Sequence, residues 1–264
     1  MAGLSIGIAW EETKAFIARD KRLLVPLALG LIVVPGAFLG LVAPGAQMGT
    51  QDKNVTAMIL TIAAAVIGLI AQLTVIKLAL GFSGSLGDAI RLAVQRVGVL
   101  LLAMAILVLP VALLTMVIGG VVEANGGAAA ASAPKGIAAI LLLVVIAVFM
   151  WLAVRLLLVS VVVMAEKLGP IGLLKRSFDL TRGQFWRLFA FVLLLFAALL
   201  ALVVAVGAVG AALVTAVFGP PDAMTVGALI VGLLSGLVQA GVGVVYAAML
   251  ARLYPQLSAA PANA

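Results

Sequence analysis

The sequence predicts an all-α polytopic membrane protein: six transmembrane helices with amphipathic cytoplasmic elbow helices, forming one integral domain. Three observations carry this. Of 264 residues, 66% are hydrophobic and only 9% are charged, whereas soluble chains hold about 45–50% apolar and about 25% charged residues. The mean hydropathy of +1.38 applies to the whole length, with no polar stretch long enough for a separate soluble domain. Six apolar runs reach the ~20 residues that a bilayer crossing needs, and the alternating segments of about ten residues that build a closed barrel are missing.

The elements follow in order. Residues 1–22 form an amphipathic amino-terminal segment in which Ile6, Ala9, Trp10, Phe16 and Ile17 gather opposite Glu11, Glu12, Lys14, Arg19 and Arg22. A helix lying on the membrane surface and turning into the first span near Pro26 is expected. Its balanced charge cluster fits a cleavable signal peptide poorly, so a retained amino terminus is expected. The spans read Leu23–Val42, Val55–Leu80, Val97–Val117, Ile137–Met164, Leu188–Phe218 and Met224–Leu250, a bundle over 23–250 followed by a short tail at 251–264. Between them lie turn residues: Pro44, Gly45 and Asn54, Gly81 to Gly87, an Ala/Gly/Ser run up to Gly136, and Gly219-Pro220-Pro221-Asp222.

Two connections are amphipathic. From Pro170, suited to the first helical position, to Gly183, suited to a terminating cap, a short helix is expected. Lys175, Arg176, Asp179 and Arg182 share one arc, with Ile171, Leu173, Leu174, Phe178 and Leu180 on the other side. It reads as an interfacial helix, either a plain elbow or an element that recognises lipid or docks a partner. Ser85–Val97 is a shorter analogue that opens with Ser-x-x-Asp, a capping-box-like start. It reads either as a second elbow or as an extension of the third span, and the pair suggests a repeated helix–elbow–helix unit.

Charge sets the orientation. Both termini and the second and fourth loops hold Lys14, Arg19, Lys21, Arg22, Arg91, Arg96, Lys167, Lys175, Arg176, Arg182, Arg187 and Arg252, against Lys53 and Lys135 on the other side. The positive-inside rule then places both termini in the cytoplasm. The net charge of +7 describes a basic face suited to anionic lipid, not a nucleic-acid interface.

Chemistry is constrained by what is missing. There is no histidine and no cysteine, which removes the commonest general base, the usual zinc and haem ligands and all thiol nucleophiles. All nine acids fall between apolar runs, which counts against ion-coupled transport. No catalytic residue, metal site or cofactor is expected. Lys77 and Arg155 lie inside spans. Lys77, near the span's end, reads as a snorkelling anchor; Arg155, deeper, calls for backbone carbonyls, water, Gln72, Gln239, a lipid phosphate or another subunit's carboxylate as partner. The candidate lipid head-group contacts are therefore Lys77, Arg155, Lys175, Arg176, Arg182 and Arg187, and the interfacial anchors Trp10, Phe185 and Trp186. Gly36-x-x-x-Gly40, Gly207-x-x-x-Ala211 and Gly232-x-x-x-Gly236 allow close helix approach. Internal packing is the default, with a homo-oligomer or protein partner as the alternative.

Three blocks, SIGIAWEETKAFIARDKRLLVPLAL (5–29), VRLLLVSVVVMAEKLGPIGLLKRSFDLTRGQFWRLF (154–189) and YAAMLARLYPQL (246–257), resemble the membrane domain found with some glycerophosphoryl diester phosphodiesterases. They also resemble small bacterial six-helix inner-membrane proteins. The resemblance implies a bacterial inner-membrane location. The family's enzymes use histidines and metal-binding carboxylates in a separate barrel, for which this chain offers neither histidine nor the roughly 250 residues needed; those catalytic residues map to nothing here. The expected function is thus non-enzymatic, binding lipid or stabilising a membrane assembly through the basic face. The alternative is a lipid or small-molecule carrier using a basic site near Arg155.

Overall fold

A computed structural model describes residues 6–43, 55–124, 137–182, 185–219 and 223–258. Among these, all regular structure is helical, and six helices are long and apolar enough to cross a membrane. The chain is a multi-pass membrane protein. Its helices are α1 (Ile6–Ala28), a π-helical turn (Leu29–Val33), α2 (Val34–Val42), α3 (Val55–Ala79), α4 (Leu86–Ala124), α5 (Ile137–Leu156), α6 (Val159–Ala165), α7 (Pro170–Thr181), α8 (Phe185–Phe218) and α9 (Val226–Ser258). One end of the bundle carries most of the basic residues; at the other, α2 ends and α3 and α9 begin, and the Met224 N–H donates to Leu41 O at 2.8 Å.

The amino-terminal segment differs from the surface helix expected. The helix passes position 22 and Pro26 unbroken, and the irregularity falls in the π-helical turn just beyond the proline. Ala9, Thr13, Phe16, Leu24 and Leu27 form one buried stripe at helical spacing, and α1 packs along α9. The segment's buried stripe is covered by protein, while Ile8, Trp10, Leu23 and Val25 on the same helix remain exposed.

The second connection also resolves differently. Ser85 Oγ donates to Asp88 Oδ2 at 2.6 Å and accepts from the Asp88 N–H at 3.2 Å, so the capping box forms. It opens α4, which continues for 39 residues, about 58 Å at 1.5 Å per residue. Ser85–Val97 therefore leads directly into the third span, the extension that the sequence left open as an alternative. Just before it, the chain leaves α3 through Gly81, whose φ of 86° is a conformation that favours glycine.

The fourth apolar run is not one helix. It breaks at Leu157–Leu158 into α5 and the short α6, in which Val159 to Met164 are all buried. The last helix continues beyond Leu250 to Ser258 and buries Ala251, Leu253 and Leu257, so 251–258 is part of the bundle and not a tail.

α7 starts at Pro170 as expected; Gly183 lies outside the described residues. Its inner face, Leu173, Leu174, Ser177, Leu180 and Thr181, is buried against α4, α5 and α6. Ile171, expected on the apolar side, faces outward. The helix lays its apolar face on the protein instead of in lipid.

The core lies at the basic end, where α6 runs among Leu73, Val75 and Ile76 of α3, Ala89, Ala93 and Leu100 of α4, and Leu173 of α7. Towards the far end, α4, α5 and α8 expose apolar side chains such as Leu109, Leu143 and Leu194, the surface that bilayer lipid covers. The tightest approach joins α2 and α9. A Cβ on Gly232 would meet Ala37 O at 3.0 Å, and one on Gly236 would meet Val33 Cα at 3.1 Å. Two of the three small-residue patterns thus serve internal packing. In the third, a Cβ on Gly207 would meet nothing within 4 Å, and one on the neighbouring Gly210 would meet Leu234 Cδ1 at 3.1 Å.

Candidate functional site

Breaking the fourth span frees carbonyls at the end of α5, and ending α7 at Thr181 frees others. The two helix ends satisfy each other. Arg155, in the last turn of α5, donates from Nη1 to Phe178 O at 2.7 Å and to Thr181 Oγ1 at 3.0 Å. Ser177 Oγ of α7 donates back to Arg155 O at 2.5 Å. A cation at a helix carboxyl end also meets the negative end of the dipole. Trp151 and Phe178, edge-on to each other with centroids 5.6 Å apart, both lie 5.4 Å from the guanidinium carbon, and Arg155 Nε is buried without a hydrogen-bond partner among the described residues. Of the partners open to Arg155 on sequence, the structure provides backbone carbonyls.

Lys77 behaves in the same way. Its Nζ donates to Met164 O, in the last turn of α6, at 3.2 Å and lies 5.5 Å from the Phe82 ring. Glu166, which follows α6, accepts from Arg176 Nε at 3.0 Å and from the Tyr254 hydroxyl at 2.7 Å on the same oxygen, tying α7 and α9 to the turn. Burial pushes the Glu166 carboxyl up, but the bonds from Tyr254 and Arg176 outweigh it and hold the group below the ordinary glutamate range. The bond to Glu166 raises the Arg176 guanidinium in turn. On the far side of α9, Arg252 lies 5.6 Å from the Phe16 ring of α1.

Half of the expected head-group contacts are therefore engaged inside the protein: Lys77, Arg155 and Arg176. Lys175, Arg182 and Arg187 are exposed. Among the expected anchors, Trp10 and Trp186 are exposed, whereas Phe185 is packed between Trp186 and Phe189. The sequence reading missed Ser177, Thr181 and Tyr254. A signal existed for the first two: hydroxyls four residues apart on the apolar side of α7.

A second opening lies elsewhere, in the half of the bundle away from the basic end. A cavity of about 480 Å³ is bounded by the π-helical turn and α2, α3, α8 and α9. Leu31, Leu39, Ala65, Val203 and Leu234 make it apolar, and Gly36, Gly68, Gly207 and Gly210 give it width. Side chains added at Gly68 or Gly207 would meet nothing within 4 Å. Three polar side chains reach it. Thr61 Oγ1 donates back to Ala57 O at 2.8 Å; Ser235 and Gln239, one helical turn apart on α9, make no hydrogen bond among the described residues and remain available.

These features define an all-helical, multi-pass membrane protein with a polar network locking its basic end and an apolar intramembrane cavity beyond it. The chain belongs to the family described as "Domain of unknown function (DUF7847)", whose model matches residues 22–257. No curated protein and no solved structure matches it. The family description names no activity. The matched range includes every member of the polar network.

Proposed function

We propose that the protein is a non-enzymatic integral membrane protein that binds lipid, accommodating an apolar chain in the cavity between α2, α3, α8 and α9. The observation that carries this reading is the cavity itself: about 480 Å³, apolar, with two unengaged polar side chains, Ser235 and Gln239, converging on it. Ligand sites have this composition, and polar groups at membrane depth mark function more often than packing. An acyl chain fills the apolar walls while an ester or hydroxyl meets the Gln239 amide. The basic end faces the cytoplasm of a bacterial inner membrane, with both termini there, and attracts anionic phospholipid. Kinship with the membrane domain of glycerophosphoryl diester phosphodiesterases belongs to the same proposal; the block at 154–189 supports it. With Arg155 occupied by α7, carrier activity draws its support from the π-helical turn on the cavity wall, since such turns are frequent at functional sites.

The test uses a phospholipid with a photoactivatable diazirine in its acyl chain, incorporated with the purified protein into nanodiscs. Crosslinks concentrated on 31–39 and 231–239, and lost in Gly68→Leu/Gly207→Leu, are expected. Crosslinks spread over the exposed apolar surface, and indifferent to those substitutions, would overturn the reading. Adducts on a second copy of the chain or a co-purifying protein would instead favour an assembly role.

A further inference from the structure

We propose a second, separate site: a phosphate-binding recess at the basic end formed by Lys77, Arg96 and Lys167. The recess has a volume of about 90 Å³, and α3, α4 and the α6–α7 connection supply one cation each. Among the described residues Glu166 is the one acid on its wall, so three positive charges and one negative leave a balance of +2. That acid is already committed to Arg176 and Tyr254. Lys77 spends one ammonium hydrogen on Met164 O and retains two. Arg96, half-buried, and Lys167, exposed, have neither a hydrogen bond nor an ion pair among the described residues.

Three cations facing one small recess repel one another, most strongly where water is partly excluded. An anion removes that cost. Its size follows from the recess, which at about 90 Å³ is far smaller than the cavity and on the scale of a single tetrahedral head. Its charge and shape follow from the donors. A guanidinium fork and two ammonium groups approaching from three elements match the several oxygens of a phosphate better than the two of a carboxylate.

The recess lies at the border of the membrane, because Lys77 closes the apolar α3 and Arg96 lies where α4 becomes continuously apolar. A phospholipid head group and free phosphate share this chemistry. The site is also distinct from the cavity. Gly68 on the cavity wall and Lys77 are nine residues apart on α3, about half a turn around at ~100° per residue, so the two openings lie on opposite faces of that helix. Its failure leaves the acyl-chain cavity of the proposed function untouched.

The test compares wild type with Arg96→Gln/Lys167→Gln, a pair that spares Lys77 and its hold on α6. Lys14→Gln/Lys175→Gln removes the same charge from exposed positions. Purified full-length protein in non-ionic micelles is titrated with dioleoylphosphatidylglycerol or dioleoylglycerol, the latter lacking phosphate, and with sodium phosphate or sodium chloride at equal ionic strength. Binding is read by native mass spectrometry and thermal unfolding. One phosphatidylglycerol per chain, at least about tenfold weaker in Arg96→Gln/Lys167→Gln only, assigns a lipid head group. Stabilisation by inorganic phosphate with that same selectivity, and no preference for phosphatidylglycerol over dioleoylglycerol, assigns free phosphate. A wild type indifferent to both probes overturns the proposal without reference to any variant, as does an equal loss in both double variants. The cavity-filling Gly68→Leu/Gly207→Leu protein keeps the phosphate response and loses the preference for acyl chains, which separates failure of one site from failure of the other.

Discussion

The close approach of α2 and α9 gives the sharpest test of the fold. In Gly236→Ala the new methyl meets Val33 Cα and Val33 O, both at 3.1 Å. These are backbone atoms that cannot rotate away, so the π-helical turn that ends in Val33, and α2 directly after it, must shift by a few tenths of an ångström. Overpacking of this kind costs about 1–3 kcal/mol, while alanine regains up to about 1 kcal/mol of helix propensity over glycine. Gly241→Ala isolates the second term, because it lies on the same helix and its methyl meets nothing within 4 Å. Propensity cancels between the two variants, leaving Gly236→Ala less stable by about 1–3 kcal/mol, or roughly 5- to 150-fold in the unfolding equilibrium. Gly36→Ala, whose methyl lies 3.5 Å from Gly236 Cα, should behave like Gly241→Ala. The assay is reversible unfolding in mixed micelles with increasing denaturing detergent, followed by circular dichroism. Equal stability of Gly236→Ala and Gly241→Ala would refute the glycine-packed interface.

Other outcomes follow from the polar network and the charge pattern. Arg155→Met removes the donor that holds Phe178 O and Thr181 and should cost about 2–4 kcal/mol in the same unfolding assay. Arg155→Lys should recover part of this, and a methionine variant as stable as wild type would contradict the reciprocal capping of α5 and α7. Glu166 lies below its ordinary pKa when folded, so its stabilisation is complete above the ordinary value of 4.5 and is lost as pH falls through the lower, folded value. The stability gap between wild type and Glu166→Gln, about 1–2 kcal/mol at pH 7, should therefore close on acidification; a gap independent of pH would show that the carboxylate charge contributes nothing. Single cysteines placed at Lys175 and at Met224 in this cysteine-free chain should react with a membrane-impermeant maleimide from opposite sides, with Lys175 cytoplasmic. Labelling of both from one side would break the proposed topology, and labelling of Lys175 from the outside with Met224 from the cytoplasm would invert it.

Several parts of this molecule were legible before its structure. The apolar runs have the length and composition that only membrane crossing explains, and the starts of α4 and α7 are written in local chemistry, Ser85 with Asp88 and Pro170. Such features depend on residues within one turn of each other, so the chain carries them wherever it packs. The tight glycines of α2 and α9 were also visible as spacings, although not that they face each other.

Tertiary structure decided the rest, because those features depend on groups far apart in sequence. Arg155 inside an apolar run looks like a charge awaiting a ligand. Only when α7 folds back does its carboxyl end present Phe178 O to the guanidinium, while Ser177 takes the carbonyl released at the break. Glu166 and Tyr254 meet from positions 88 residues apart, and no local pattern encodes that bond. The amino-terminal segment stays in the bundle because α9 covers its buried stripe. The cavity and the basic recess have the same origin. Each is a space between helices, with its walls supplied by α2, α3, α8 and α9 in one case and by α3, α4 and the α6–α7 connection in the other. A sequence specifies the faces of its helices; what lies between two faces exists only after they have packed.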